Sequence, residues 1–150
     1  GDEPFIDKNG LKALINVFKD DTEKRIQIAS LMTAISDKNE ISNPNVVKVV
    51  VDNYNFAMYF SRQAIPFNIE KITHNYLKHI GVYAFRKDFL KKISAQGKTK
   101  LESLEKIEAI RFIEMGYKIK MVMTDKFSIG IDTKDDLMKA NEIIKIKKND

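Results

Sequence analysis

Apolar positions near the start of the chain recur at helical spacing. Leu11, Leu14, Ile15 and Phe18 share one face at 100° per residue, and Asp7 stands where a capping side chain belongs, so residues 7–18 are predicted as a helix. The pattern then changes. Across residues 26–35 hydrophobic residues occupy both alternating faces, as in a strand covered on both sides. Residues 36–45 are polar and read as a loop with room for one helical turn. Residues 46–51 are β-branched and apolar apart from Lys48, and residues 56–60 form a second strand. Asp52-Asn53-Tyr54-Asn55 between them is turn chemistry, which predicts a β-hairpin. Pro66 opens a polar connection to about residue 73, and 76–85 is a further strand. Gly81 interrupts that strand and suggests a bulge or a close backbone approach.

Helical periodicity dominates the second half. Residues 88–93 form a short helix, 95–98 a loop, and 100–115 one long helix closed by Gly116. Residues 118–124 read as a strand. Thr133 caps a last helix running to residue 144, with Asp136 completing a box-like start. The order α, β, hairpin, β, α, α, β, α, without an internal repeat, predicts one mixed α/β domain.

Composition narrows the functional classes. The chain has 150 residues, enough for one domain with a real core, with 43% hydrophobic and 31% charged residues. No apolar run approaches the roughly 18 residues that span a bilayer. Residues 1–20 lack a basic start followed by an apolar run, so a cytoplasmic chain is expected. The missing initiator Met predicts a processed product or a fragment. Net charge is +5, but the 26 Lys and Arg residues are mixed with 21 acids. Lys145-Ile146-Lys147-Lys148 is the only dense basic run and reads as a solvated helix end. Neither nucleic acid nor membrane is therefore predicted as a partner, while small anions need only a local field. The absence of cysteine removes disulfides, thiolate catalysis and Cys-based zinc sites.

Several polar residues interrupt apolar patterns. In the predicted helix 100–115, Leu101, Leu104, Ile107, Ile110, Phe112 and Met115 form one arc. Glu108 and Arg111 fall inside it, while Glu102, Glu105 and Lys106 lie on the opposite, solvated face. Glu108 is either an i,i+3 ion-pair partner of Arg111 at the core edge or a buried acid facing a polar ligand. His79 shares a strand face with Gly81 and Tyr83. A lone strand histidine suits a structural role. The i,i+4 alignment beside a glycine that removes bulk suits a small polar groove. His74 reads as a surface residue. Arg62, beside Ser61 at the end of the hairpin, is either an ordinary surface cation or a planar fork for a carboxylate. Asp2 and Asp132 stand in breaks between elements, in Gly1-Asp2-Glu3-Pro4 and Gly130-Ile131-Asp132-Thr133. They are hard oxygen ligands, for which magnesium is the natural ion if they meet in space.

Taken in order, these segments resemble one family, the CMP-Kdo synthetases (3-deoxy-manno-octulosonate cytidylyltransferases). The likeness runs through Gly1-Asp2-Glu3-Pro4-Phe5-Ile6-Asp7 and Asn43-Pro44-Asn45-Val46-Val47-Lys48-Val49-Val50. It continues in Ala57-Met58-Tyr59-Phe60-Ser61-Arg62, Ile65-Pro66 and His79-Ile80-Gly81-Val82-Tyr83-Ala84-Phe85-Arg86. Leu101-Glu102-Ser103-Leu104-Glu105 and Gly130-Ile131-Asp132-Thr133 with Asp136-Leu137 complete it. The resemblance implies a nucleotide-diphospho-sugar transferase-like three-layer α/β sandwich with a mixed sheet, dimeric through the hairpin region. It implies that CTP and Kdo give CMP-Kdo and pyrophosphate for lipopolysaccharide synthesis. Asp2 and Asp132 would hold Mg2+, and Arg62, His79, Tyr83 and Glu108 would line the Kdo site.

The chain departs from the family pattern in two respects. Ala109 stands where the family often has glutamine after the glutamate, which leaves room for an amino-substituted Kdo or another acidic sugar. The family's N-terminal nucleotide-binding segment has no counterpart here. Residues 1–150 are thus expected to be the C-terminal sugar-binding and dimerisation part of one cytidylyltransferase domain, inactive alone. A non-catalytic binding or assembly module of the same fold is the alternative from another class.

Overall fold

The computed structural model describes residues 8–124 and Met138. Predictions for residues 1–7 and for the last helix, with Asp2 and Asp132, lie outside the described residues. The elements in chain order are α1 (Lys8–Asp20), β1 (Ile28–Ala34), α2 (Asn39–Ser42), β2 (Lys48–Val51) and β3 (Ala57–Ser61). They continue with β4 (Leu77–Phe85), α3 (Lys87–Ser94), α4 (Lys100–Glu105), α5 (Ala109–Glu114) and β5 (Ile119–Met123). The sheet order is β3-β2-β4-β1-β5, with β1 and β5 parallel and the other pairs antiparallel. This is the mixed sheet with helices on both faces that the family resemblance implied, and it agrees with the mixed α/β domain that the pattern predicted.

Alternation along β1 sorts the two faces. Ala29 and Leu31 pack with Ile80 against Leu14, Val17 and Phe18 of α1. Ile28 and Met32 point the other way, into a larger cluster with Phe60, Phe89, Ile93, Ile110, Phe112 and Met121. Tight joints fix these layers. The Asp21 carboxylate accepts the Ile26 amide at 2.7 Å and an Arg86 Nη2 hydrogen at 2.8 Å, tying the end of α1 to β1 and β4.

The hairpin turn follows its chemistry. Asp52 Oδ1 accepts the amides of Tyr54 and Phe56, each at 2.8 Å, and Asn55 takes φ 58°. β2 pairs with β4 only at Lys48 and Val49. Beyond that point the hairpin crosses to the far side of the sheet. Met121 of β5 donates its amide to the Asn55 carbonyl at 2.7 Å, and Phe56 bridges Lys120.

One predicted element is corrected. Residues 100–115 form two helices, separated by Lys106 in the left-handed conformation at φ 56°. The conformation costs a non-glycine residue about 1 kcal/mol. It is held because the Arg62 guanidinium takes the Glu105 carbonyl at 2.7 Å and the Lys106 carbonyl at 3.3 Å. In a continuous helix those carbonyls would accept from Ala109 and Ile110. The bend also dissolves the predicted apolar arc: Ile107, Ile110 and Phe112 are buried, whereas Leu104 is 70% exposed. Gly116 does end α5, at φ 81°, with Tyr117 donating to Phe112 and Gly116 to Ile113, both at 2.9 Å. Among the described residues no helix is long and apolar enough to cross a membrane.

Candidate functional site

The polar residues of interest converge where β4, the end of β3 and the bend between α4 and α5 meet. A bulge in β4 creates the first part. Ser30 pairs with Tyr83 and Leu31 with Ile80, so Gly81 and Val82 are two extra residues on β4. His79 and Tyr83 thereby stand opposite Met32 and Ser30, neighbours on one face of β1. Four residues of straight strand would span about 13 Å. The two rings instead lie 5.4 Å apart between centroids. The predicted bulge is present, but Gly81 does not act by removing bulk, since a Cβ there would meet nothing within 4 Å.

His79 is half-buried. Its ring packs on Phe60 at 4.9 Å, and Nε2 lies 2.8 Å from Ser30 Oγ. Burial pushes its pKa down to about 4, so the imidazole is neutral at physiological pH. Tyr83 touches Phe112 of α5, with centroids 6.4 Å apart. Burial drives the Tyr83 phenol well above its usual range, and the negative charge of Glu108 adds to the effect. Glu108 therefore sits within electrostatic reach of Tyr83. It is not a buried acid: its side chain is 63% exposed, with Arg111 Nη2 at 4.0 Å.

Arg62 is neither an ordinary surface cation nor an unengaged fork. Its Nε and two terminal nitrogens donate to the carbonyls of Glu105, Pro44 and Lys106. Two of its five N–H groups remain. Glu105 completes a reciprocal clamp, accepting the Ser61 hydroxyl at 2.7 Å and the Arg62 amide at 3.0 Å. Behind it, Lys48 is fully buried and donates to the carbonyls of Asn43, Val46 and Arg62 at 2.8, 2.6 and 2.6 Å. Burial, then repulsion from Arg62, holds the Lys48 pKa below its ordinary value. Loop 43–46, the end of β3 and the α4–α5 bend are thus tied into one body.

Glu102 and Glu105, predicted on a solvated face, both turn inward. Glu102 is buried and forms a two-point pair with Arg111, at 2.8 and 2.6 Å. Glu114 of α5 accepts the Leu101 and Glu102 amides at 3.0 and 3.3 Å, capping α4 from the next helix. Beside this pair a cavity of about 390 Å³ is lined by Lys98, Glu102, Ser103, Lys106, Glu108 and Arg111. Among the described residues no group of three or more His, Cys, Asp or Glu could hold a metal ion. Lys48, Glu105 and Ser30 did not stand out in the sequence as candidates. The one available signal was Lys48, a charge inside an otherwise apolar strand.

Mixed sheet, crossing hairpin and polar cluster together define a nucleotidyltransferase-type α/β fold. Residues 1–120 match the cytidylyltransferase family, and the chain belongs to it. It is 47% identical over 146 residues to a 3-deoxy-manno-octulosonate cytidylyltransferase of Flavobacterium johnsoniae, covering 97% of this chain and 60% of that protein. An 8-amino-3,8-dideoxy-manno-octulosonate cytidylyltransferase of Shewanella baltica is 37% identical over 142 residues, covering 95% of this chain and 58% of that protein. A solved CMP:2-keto-3-deoxy-manno-octonic acid synthetase complexed with CTP superposes with a TM-score of 0.88 at 32% identity. The match covers 97% of this chain and 59% of that one. The chain thus spans about 60% of the length of the curated relatives it matches.

Proposed function

We propose that this chain is the sugar-binding and dimerisation region of a single cytidylyltransferase domain, with the nucleotide-binding segment supplied upstream. The reaction is CTP plus Kdo giving CMP-Kdo and pyrophosphate, in the cytoplasm, for lipopolysaccharide synthesis. The observation that carries this reading is the near-complete superposition of the chain on a CTP-complexed synthetase of that sugar acid. The convergence of Arg62, His79, Tyr83 and Glu108 around the β4 bulge and the α4–α5 bend supports it.

The anomeric hydroxyl of the sugar acid attacks the α-phosphorus. The new O–P bond forms as the bond to pyrophosphate breaks, and the hydroxyl proton is released. Positioning does most of the work in such a displacement. The two remaining N–H groups of Arg62 face the sugar carboxylate, held in place by the three carbonyls. His79, Tyr83 and the exposed carboxylate of Glu108 take the hydroxyls. Asp2 and Asp132 are proposed for Mg2+, whose chemistry there is to neutralise phosphate charge. A homodimer is part of the proposal. Phe67, Ile69 and Ile72 are exposed on the 66–73 connection, with Met58 on the hairpin, an apolar set that suits a subunit contact.

A second reading has its own support. Ala109 is fully buried and offers no hydrogen bond, and the Shewanella relative is named for an 8-amino sugar. The experiment compares CTP turnover by the complete gene product with Kdo, 8-amino-Kdo and sialic acid. CMP-Kdo and pyrophosphate are expected as the main products with Mg2+ present. Preference for the amino sugar would move the assignment to the second reading, and no turnover with any of the three would sink both. The polypeptide 1–150 alone is expected to form no detectable CMP-Kdo.

A further inference from the structure

We propose that Ser30 is a positioning residue for sugar recognition: its hydroxyl locks His79 in the Nε2–H form, so that Nδ1 is presented as an acceptor to a sugar hydroxyl. The sugar half of this proposal rests on the reading of His79 given above.

The geometry leaves one consistent proton arrangement. Ser30 Oγ lies 2.8 Å from the Val82 carbonyl, 2.8 Å from His79 Nε2 and 3.3 Å from the Ile80 carbonyl. A serine hydroxyl has one proton to donate, and a carbonyl can only accept. If the proton went to Nε2, two carbonyl oxygens would face a hydroxyl oxygen at 2.8 and 3.3 Å with no hydrogen between them. Ser30 is 0% exposed, so no solvent relieves that contact. The proton therefore goes to Val82, and Nε2 must supply the hydrogen between itself and Oγ. Burial keeps the ring neutral, so that hydrogen is its only N–H. Nδ1 is left bare, with no partner among the described residues.

The bulge explains why a serine stands here. Two extra residues turn the Ile80 and Val82 carbonyls out of register with β1, and buried carbonyls need donors. Ser30 supplies one hydroxyl to that gap and accepts from His79 across the same strand pair. A bare Nδ1 accepts from a hydroxyl and repels a carboxylate. His79 therefore selects for the polyol part of the sugar acid and leaves its carboxylate to Arg62.

Nitrogen-15 NMR of the histidine-labelled complete gene product reads the lock directly. The expected wild-type signature for His79 is a protonated Nε2 and a bare Nδ1. In Ser30→Ala the Nδ1–H form becomes populated, KM for Kdo rises about tenfold, and KM for CTP is unchanged. Ser30→Thr, which keeps the hydroxyl, restores both. A wild-type ring protonated on Nδ1 overturns the proposal, and this measurement decides even if Ser30→Ala does not fold. An unchanged tautomer and KM in a folded Ser30→Ala also overturns it. If the NMR signature is as expected but His79→Ala leaves KM for Kdo unchanged, the sugar-site reading of His79 is overturned and the sugar half of this proposal with it.

Discussion

The two faces of the sheet are stabilised in different ways. Under α1 the packing is mainly apolar: Leu14, Ala29, Leu31 and Ile80 are buried together, and the Asp21–Arg86 pair closes the edge. The opposite face has a larger apolar cluster, but its margin is held by side chains bonded to backbone carbonyls. Arg62 takes three of these and Ser30 bridges the bulge. The α1 face depends mainly on volume, and the opposite face adds direction where the polar residues converge. Apolar contacts tolerate small shifts. A guanidinium or hydroxyl bonded to a carbonyl fixes position to a few tenths of an ångström, which suits the face where a polar ligand is to be oriented.

A pair of substitutions separates the two faces. Leu14→Ala should cost about 3 kcal/mol through lost burial and a residual cavity, with KM for Kdo unchanged in the complete gene product. Arg62→Lys keeps the charge but loses the fork. It should cost about 2 kcal/mol and raise KM for Kdo, because the carbonyls of the α4–α5 bend lose their guanidinium donors. Denaturant unfolding and steady-state kinetics on both variants check this. Equal effects on KM would erase the distinction between the faces.

Acid should act through the directional face first. The folded-state pKa of His79 is about 4 against an ordinary 6.5. The stability linked to its neutral form is complete above pH 6.5 and is lost as pH falls towards 4. Arg111, ahead of the Thr99 amide, holds Glu102 below its ordinary 4.5. That contribution is present above pH 4.5 and disappears as pH falls through the depressed value. Both slopes have the same sign. Stability measured across pH 7 to 3 should therefore fall, and Arg111→Met should flatten the lower part of the curve.

The smallest expected effect is at Gly81. Its neighbourhood is open and its φ is not in the left-handed range, so Gly81→Ala should raise stability by about 0.5 kcal/mol in thermal unfolding. Loss of stability there would mean that the bulge needs glycine after all.

Legibility in the sequence followed the same division. The α1 face was readable because burial under a helix leaves a period in the residues: Leu14 and Phe18 announce it, as does the two-faced strand that became β1. The Asp52 turn and the Gly116 stop were readable because each is local chemistry. The α4–α5 bend was not. Nothing between Lys100 and Met115 is a glycine or proline, and the cause is an arginine more than 40 positions earlier. Glu102 and Glu105 were misplaced for the same reason, since a helical wheel assumes that the helix continues. Arg62, His79, Tyr83 and Glu108 stood out as polar interruptions. Ser30 did not, because a small residue inside an apolar strand carries no visible conflict until the opposing bulge is known.

The crossing hairpin also bears on colloidal behaviour. An unpaired outer strand invites another chain to extend the sheet. In β5 the Met121 amide is already bonded to Asn55, and the Lys120 ammonium lies on the Tyr54 carbonyl at 2.6 Å. A second copy can add to this side only by first prising the hairpin tip away. The turn at residues 52–55 therefore doubles as a guard against open-ended stacking along β5.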